Sequence, residues 1–216
     1  YARHGAQLIL LGRTLSKLQA VQEQIRQLGL SPAAIVQFDL LTAKPADYQK
    51  LGAELASAYP YLDGVLNNAG LLGTINPLAE QDYQEFCDVM QVNVNASLLL
   101  SQALLPLLLK APSASLIFTS SSVGKIGRAG WGSYAISKFA TEGMMQVLAD
   151  EYKNTNLRVN CINPGGTRTG MRASAFPDED PQKLKTPADI MPLYLYLMGD
   201  DSRRKTGMSF DAQPGR

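Results

Sequence analysis

Apolar residues fall along the chain in two rhythms. Short unbroken runs mark buried strands, and longer stretches with apolar residues three and four apart mark helices. Residues 1–6 read as the last turn of a helix closed by Gly5, because glycine favours helix C-termini. The runs 7–11 and 34–38 read as strands, the second ending in Asp39. Between them Leu15, Leu18, Val21, Ile25 and Leu28 outline a helix over 15–28. A helix over 46–58 and a strand over 62–66 follow, the strand closed by Asn67-Asn68-Ala69-Gly70. Next come a long helix over 81–109, a strand over 115–119, a helix over 133–154 and a strand over 157–162 ended by Asn163-Pro164-Gly165. A helix over 189–198 and a strand over 207–211 complete the series.

Strands that alternate with helices of ten or more residues predict a parallel sheet covered on both faces. The expected class is α/β, a doubly wound, Rossmann-type parallel sheet. The length of 216 residues, without repeat or linker, predicts a single domain over 1–216. Such folds open with a strand and a glycine-rich turn that holds a pyrophosphate. No G-x-G-x-x-G occurs here, and the first helix is already ending at Gly5. The expectation is therefore an N-terminally truncated fragment lacking the first strand and its turn, a piece of roughly 30 residues. By itself residues 1–216 would then aggregate or stay molten and fail to bind a dinucleotide.

Composition narrows the function. Hydrophobic residues make up 45% and charged residues 18%, which is globular composition. Twenty basic against nineteen acidic residues leave +1, so no bulk field argues for nucleic acid or an acidic membrane surface. The most apolar stretch, 98–109, contains Gln102 and Pro106 and falls short of the roughly 20 residues of a membrane span, so it reads as a buried helix. Cys87 and Cys161 form no metal-binding pattern and read as two small buried hydrophobes in a reducing compartment. His4, the single histidine, reads as a surface residue and excludes a histidine-based triad. A cytoplasmic protein without a metal site is expected.

Candidate chemistry begins with Tyr134 and Lys138, at i and i+4 on one face of a predicted helix. A phenol of ordinary pKa about 10 is a poor acid or base near neutrality, and a nearby ammonium stabilises its phenolate. Bringing it to neutrality takes roughly 4 kcal/mol, which requires a cofactor charge as well as the lysine. Alone the pair is weak, since a surface Tyr–Lys pair would look the same. Thirteen residues before Tyr134, Ser121 lies among Ser120, Ser121 and Ser122 at the end of a predicted strand, where ligands bind in open parallel sheets. A serine there can donate to a substrate carbonyl while Tyr134 delivers the proton; a plain serine-rich turn is the competing reading.

Asn67-Asn68-Ala69-Gly70, the spacing from Ser121 to Tyr134-xxx-Lys138, and Asn163-Pro164-Gly165-Gly166-Thr167-Arg168-Thr169 together resemble the short-chain dehydrogenase/reductase family over nearly the whole chain. The stretches around Leu71-Leu72-Gly73, Asp189-Ile190-Met191-Pro192 and Arg203-Arg204-Lys205-Thr206-Gly207 look closest to a bacterial, YciK-like subgroup. The resemblance implies Tyr134 as acid/base, Lys138 as its electrostatic partner and ribose ligand, and Ser121 polarising the carbonyl. Asn93 would support a water linking to the lysine, with Asn95 the competing candidate. Asn68, Ala69 and Gly70 would lie near the adenosine ribose, and Asp39 would accept from the adenine amine. Pro164, Gly165, Thr167 and Thr169 would flank the nicotinamide. The two helices over 81–109 and 133–154, richer in apolar residues than one buried face needs, would pair in a homodimer or homotetramer.

Cofactor choice follows from Leu11-Gly12-Arg13-Thr14. NAD-preferring folds place an acid where this strand ends, and here stands Arg13, whose guanidinium suits a 2′-phosphate. The expectation is NADP(H) over NAD(H), in an oxidoreductase that interconverts a small-molecule carbonyl and a hydroxyl group. Arg128, Trp131 and residues 171–185 would line or cover the pocket, with 176–181 as a mobile lid. Two other classes compete: a non-catalytic dinucleotide-binding or scaffold protein, and a Ser–Lys hydrolase using Ser121 and Lys138.

Overall fold

A computed structural model describes residues 1–215 as α/β, with every strand pairing parallel. The chain divides into two compact units, the first over Tyr1–Asp47 and the second from Tyr48 onward.

The first unit is a β-α-β crossover. A 3-10 turn, Ala2–His4, ends at Gly5, whose φ of 84° is the left-handed conformation expected of a closing glycine. β1 (Ile9–Gly12) leads into α1 (Leu15–Gln27) and then β2 (Ala34–Gln37), with Ile9 opposite Ala34 and Gly12 opposite Gln37. Of the apolar stripe predicted on α1, Ile25 is buried, whereas Leu15, Val21 and Leu28 are exposed. His4 is exposed, as its reading required.

The second unit carries a four-stranded sheet in the order β3-β4-β5-β6: Gly64–Asn67, Ala114–Thr119, Leu157–Asn163 and Met208–Asp211. β4 and β5 are buried along nearly their whole length, Ser115, Arg158 and Asn160 included, as expected for inner strands of a parallel sheet. Leu116 and Phe118 of β4 and Val159 and Cys161 of β5 alternate onto one face, where they pack with Leu108 and Met145. Toward the other face, α7 (Met191–Met198) lies on β4, and the Ser115 hydroxyl donates to the Leu197 carbonyl at 2.7 Å. α2 (Pro45–Ala58) touches α4 (Ala96–Leu108) so closely that a Cβ on Gly52 would lie 2.7 Å from the Ala103 carbonyl oxygen.

The helix expected over 81–109 is not uniform. α3 (Tyr83–Met90), capped by the Asp82 carboxylate on the Glu85 N–H, widens into a π-helical turn over Gln91–Asn95 before α4. Such bulges insert one extra residue and re-aim side chains, a change the apolar pattern does not record. α5 spans Gly132–Glu151. A short α6 (Gly170–Ala175) was not expected, since six residues carry no readable period. The helix predicted over 189–198 opens instead with a 3-10 turn, Pro187–Ile190, closed by a reciprocal cap between Thr186 and Asp189. Cys161 is buried, but Cys87 is only partly so. Among the described residues no helix is long and apolar enough to cross a membrane.

Candidate active site

One cleft of ≈ 1230 Å³ opens at the carboxyl ends of β3, β4 and β5, and the second unit alone lines it. Ser121 and Tyr134 come to it from opposite sides of the loop that joins β4 to α5. Ser121 follows β4 in extended backbone (φ −158°) and leads the 3-10 turn Ser122–Gly124. Its side chain shares a hydrogen bond with that of Tyr134. This distinguishes the three serines: Ser120 is buried with an unpartnered hydroxyl, Ser122 is exposed, and Ser121 meets the tyrosine.

Lys138, one turn beyond Tyr134 on α5, is 4% exposed. Its Nζ donates to the Thr119 carbonyl at 2.7 Å and lies 5.4 Å from the centre of the Tyr134 ring. Burial lowers its pKa to about 8, and the neighbouring Cys161 and Glu142 act in the opposite direction. Tyr134 moves the other way from the expectation. Its burial pushes the phenol up to about 12, and the Ser121 hydrogen bond offsets only part of this. The reason is desolvation, which penalises the phenolate more than its neighbours stabilise it.

Asn93, in the π-helical turn, is buried, while Asn95 is exposed, which separates the two candidates. The Asn93 amide is fully engaged. Its Oδ1 accepts from the Leu71 N–H at 2.7 Å, and its Nδ2 donates to the Leu71 carbonyl and to the Ser137 hydroxyl, each at 2.9 Å. It therefore clamps the segment after Gly70 to α5 from behind the cleft wall. Asn68, Ala69 and Gly70 line the cleft, with the Asn68 Oδ1 held by the Thr119 hydroxyl at 2.9 Å. A Cβ on Gly70 would lie 3.3 Å from the Asn93 Oδ1 and 3.8 Å from the Lys138 Nζ.

Pro164, Gly165, Thr167 and Thr169 line the far side. Gly165 turns the chain with φ 69°, and the Thr167 hydroxyl reaches back toward the Pro164 and Gly165 carbonyls. Thr169 caps α6 by accepting from the Arg172 N–H at 3.2 Å. Gln213, which no local motif announced, stitches this loop together: its amide donates to the Pro164 and Gly166 carbonyls, each at 2.9 Å.

Arg128 and Trp131 line the cleft as expected. Trp131 lies 5.9 Å from the Tyr134 ring and 5.7 Å from that of Phe176. The segment expected as a mobile lid makes several side-chain contacts with its surroundings. Arg172 pairs with Glu179 through two hydrogen bonds of 2.6 and 2.7 Å and lies 3.7 Å over the Phe176 ring, and Arg168 donates to the Pro181 and Leu184 carbonyls. Proline and acidic residues signalled a loop, but they carried no sign of these partners.

Arg13 and Asp39 belong to the first unit. Arg13 is exposed just past β1, and its carbonyl accepts from the Gln37 side chain at 3.1 Å; the Asp39 carboxylate accepts from the Leu41 N–H at 3.0 Å.

The pattern of the short chain dehydrogenases matches residues 1–180. The chain is 68% identical to the uncharacterised oxidoreductase YciK of Escherichia coli K12, over all of this chain and 85% of that protein. It is similar to a short chain dehydrogenase from Escherichia coli CFT073 crystallised with NADPH, at 68% identity and TM-score 0.97, over 99% of this chain and 89% of that one. It is also similar to one from Shigella flexneri 2a crystallised with NADP, at 66% identity and TM-score 0.97, with the same coverage. With that pattern over most of its length and a relative 68% identical across all of it, the chain belongs to the short chain dehydrogenase family.

Proposed function

We propose that this oxidoreductase uses NADP(H) to interconvert a carbonyl and a hydroxyl group on a small molecule. The observation that carries this reading is the cluster at Tyr134, with Ser121 hydrogen-bonded to its side chain and the Lys138 ammonium beneath its ring. Tyr134 keeps its proton through the neutral range, so it is held as the acid that protonates a substrate carbonyl oxygen during reduction. Ser121 donates to the same oxygen and polarises it. Oxidation reverses the transfer, with Tyr134 taking the proton back.

The residues present suit the cofactor. Lys138 spends one of its three N–H donors on Thr119, and the others remain for ribose hydroxyls beside the side-chain-free backbone of Gly70. Asn68 and Ala69 would border the adenosine ribose, and Asp39 would accept from the adenine amine. Pro164, Gly165, Thr167 and Thr169 would flank the nicotinamide, and Arg13 would read the 2′-phosphate. The relatives crystallised with NADPH and NADP support that choice. The nicotinamide, when bound, exchanges a hydride with the substrate carbon. Asn93 acts through the Leu71 and Ser137 contacts that position the cleft wall.

We read residues 1–216 as one dinucleotide-binding oxidoreductase unit of a cytoplasmic protein. Leu98, Ile136, Phe139 and Val147 are exposed apolar residues on α4 and α5, which supports a homodimer or homotetramer; a monomeric mass in light scattering at micromolar concentration would refute that. Engagement of Ser121 by Tyr134 and of Lys138 by Thr119 argues against a Ser–Lys hydrolase.

The test is NADPH oxidation across a carbonyl panel, against an ester panel with a serine-directed inhibitor. Carbonyl-dependent oxidation that Tyr134→Phe lowers by at least ~10²–10⁴-fold, with NADPH still bound, is the expected result. Ester cleavage blocked by the inhibitor, or NADPH binding without turnover of any carbonyl, would replace this reading with the hydrolase or the binding protein.

A further inference from the structure

The Tyr134–Lys138 pair has a third member. Glu142 follows Lys138 at the same four-residue step, so Tyr134, Lys138 and Glu142 line one side of α5 at i, i+4 and i+8. Glu142 is 6% exposed, about as buried as Lys138. Its carboxylate does not dangle: the Ser209 hydroxyl of β6 donates to it at 2.8 Å. Glu142 is not among the residues that line the cleft. It also makes no ion pair within 4.0 Å among the described residues, so it acts on Lys138 through space rather than by contact. In a buried environment such attraction is far less screened than at the surface.

We propose that Glu142 is a positioning residue: anchored by Ser209, its carboxylate keeps Lys138 an ammonium, seated on the Thr119 carbonyl beneath Tyr134. This rests on the oxidoreductase reading of the same site. Among the groups that face Lys138, Glu142 is the acidic side chain. From α5 itself comes Tyr134, a neutral phenol; from β4, the Thr119 carbonyl; from the π-helical turn and Gly70, the uncharged Asn93 amide. From β5 comes Cys161, whose thiol burial pushes well above the ordinary range, so it carries no charge at working pH. Facing Glu142 are Ser209 of β6, Cys161 of β5 and Lys138. Lys125 is paired with Asp211 at the end of β6, at 3.6 Å. Burial has already brought Lys138 down to about 8, and Glu142 opposes a further fall.

The experiment is a titration of Lys138 in lysine-labelled protein by NMR, its resonance assigned through Lys138→Arg, together with the pH profile of kcat/KM for NADPH oxidation. Glu142→Gln keeps the size and the Ser209 contact and removes only the charge. It is expected to lower the Lys138 midpoint by about one pH unit, with the alkaline limb of the profile moving down equally. Glu142→Asp, which keeps the charge one methylene farther back, is expected to fall between wild type and Glu142→Gln. A merely structural glutamate would change stability and leave both curves in place. An unmoved Lys138 midpoint in folded Glu142→Gln overturns the proposal; should that variant not fold, an unmoved midpoint in Glu142→Asp does so. The titration needs neither cofactor nor substrate. A wild type that oxidises no NADPH therefore defeats the oxidoreductase reading alone, and an active wild type with an unmoved midpoint defeats this one alone.

Discussion

Gly124 lies against the backbone of Lys138. A Cβ on Gly124 would sit 2.9 Å from the Lys138 carbonyl carbon, its carbonyl oxygen and its Cβ. The turn that carries Ser121 is thereby pressed onto the helix that carries Tyr134 and Lys138, and only a residue without a side chain permits it. Neither of the backbone atoms in contact can swing aside.

Gly124→Ala is therefore expected to force α5 and the Ser122–Gly124 turn apart. Overpacking of this kind costs about 1–3 kcal/mol. Turnover should fall further than stability, because the Ser121–Tyr134 bond spans the widened gap. Gly127→Ala, where an added Cβ meets nothing within 4 Å, is the control and should change stability by less than about 0.5 kcal/mol. Urea denaturation and NADPH oxidation on both variants check this; equal effects would show that the close approach is tolerated.

Lys138 imposes a pH dependence on stability. Its folded pKa of about 8 lies below its ordinary 10.5, so between these values the unfolded chain binds more protons than the folded one, and stability rises with pH. Below about pH 8 the full cost of the buried ammonium remains. Relative to Lys138→Met, wild type should gain stability from about pH 8 to about pH 10, the full window being worth on the order of 3 kcal/mol. Tyr134 acts in the opposite sense, from its ordinary 10.0 up to about 12, where rising pH favours the unfolded phenolate. Denaturation midpoints measured in parallel decide it. A constant difference between the two proteins would mean that Lys138 is well solvated.

Glu179→Gln is expected to loosen the wall that Phe176 and Trp131 form beside Tyr134. Arg172 holds the Glu179 carboxyl below its usual range through the paired hydrogen bonds, so the contact survives mild acid and is lost as pH falls through the lowered value. The variant should raise KM for the carbonyl substrate several-fold, leave kcat nearly unchanged, and speed amide exchange over 176–183. A loss confined to kcat would place the ion pair in the chemical step instead.

Arg13→Ala tests the cofactor choice. A charge-assisted hydrogen bond is worth roughly 1.5–3 kcal/mol, so NADPH should bind about 10–100-fold more weakly, while NADH is barely affected. Fluorescence titration with both dinucleotides reads the result, and equal weakening would show that Arg13 does not face the 2′-phosphate.

The α/β class and the pairing of Tyr134 with Lys138 were legible in the sequence because they depend on local periods. A buried strand is an unbroken apolar run, and one helical turn brings i and i+4 to one face. The serine that meets Tyr134 was legible through its spacing, although the choice among Ser120, Ser121 and Ser122 needed the turn's geometry. What the sequence concealed depends on distance through the fold. Gln213 reaches Pro164 across 49 positions and Ser209 reaches Glu142 across 67, contacts that exist only because β6 runs beside β5 in one register. The direction of the Tyr134 pKa was hidden for a related reason. Spacing identifies a charged neighbour, whereas desolvation depends on everything that excludes water, including loop residues such as Trp131, 5.9 Å from the Tyr134 ring. The pattern of residues thus determined which groups share a helix face. The packing of the strands and loops around them decided how deeply those groups are buried, and so which proton each one holds.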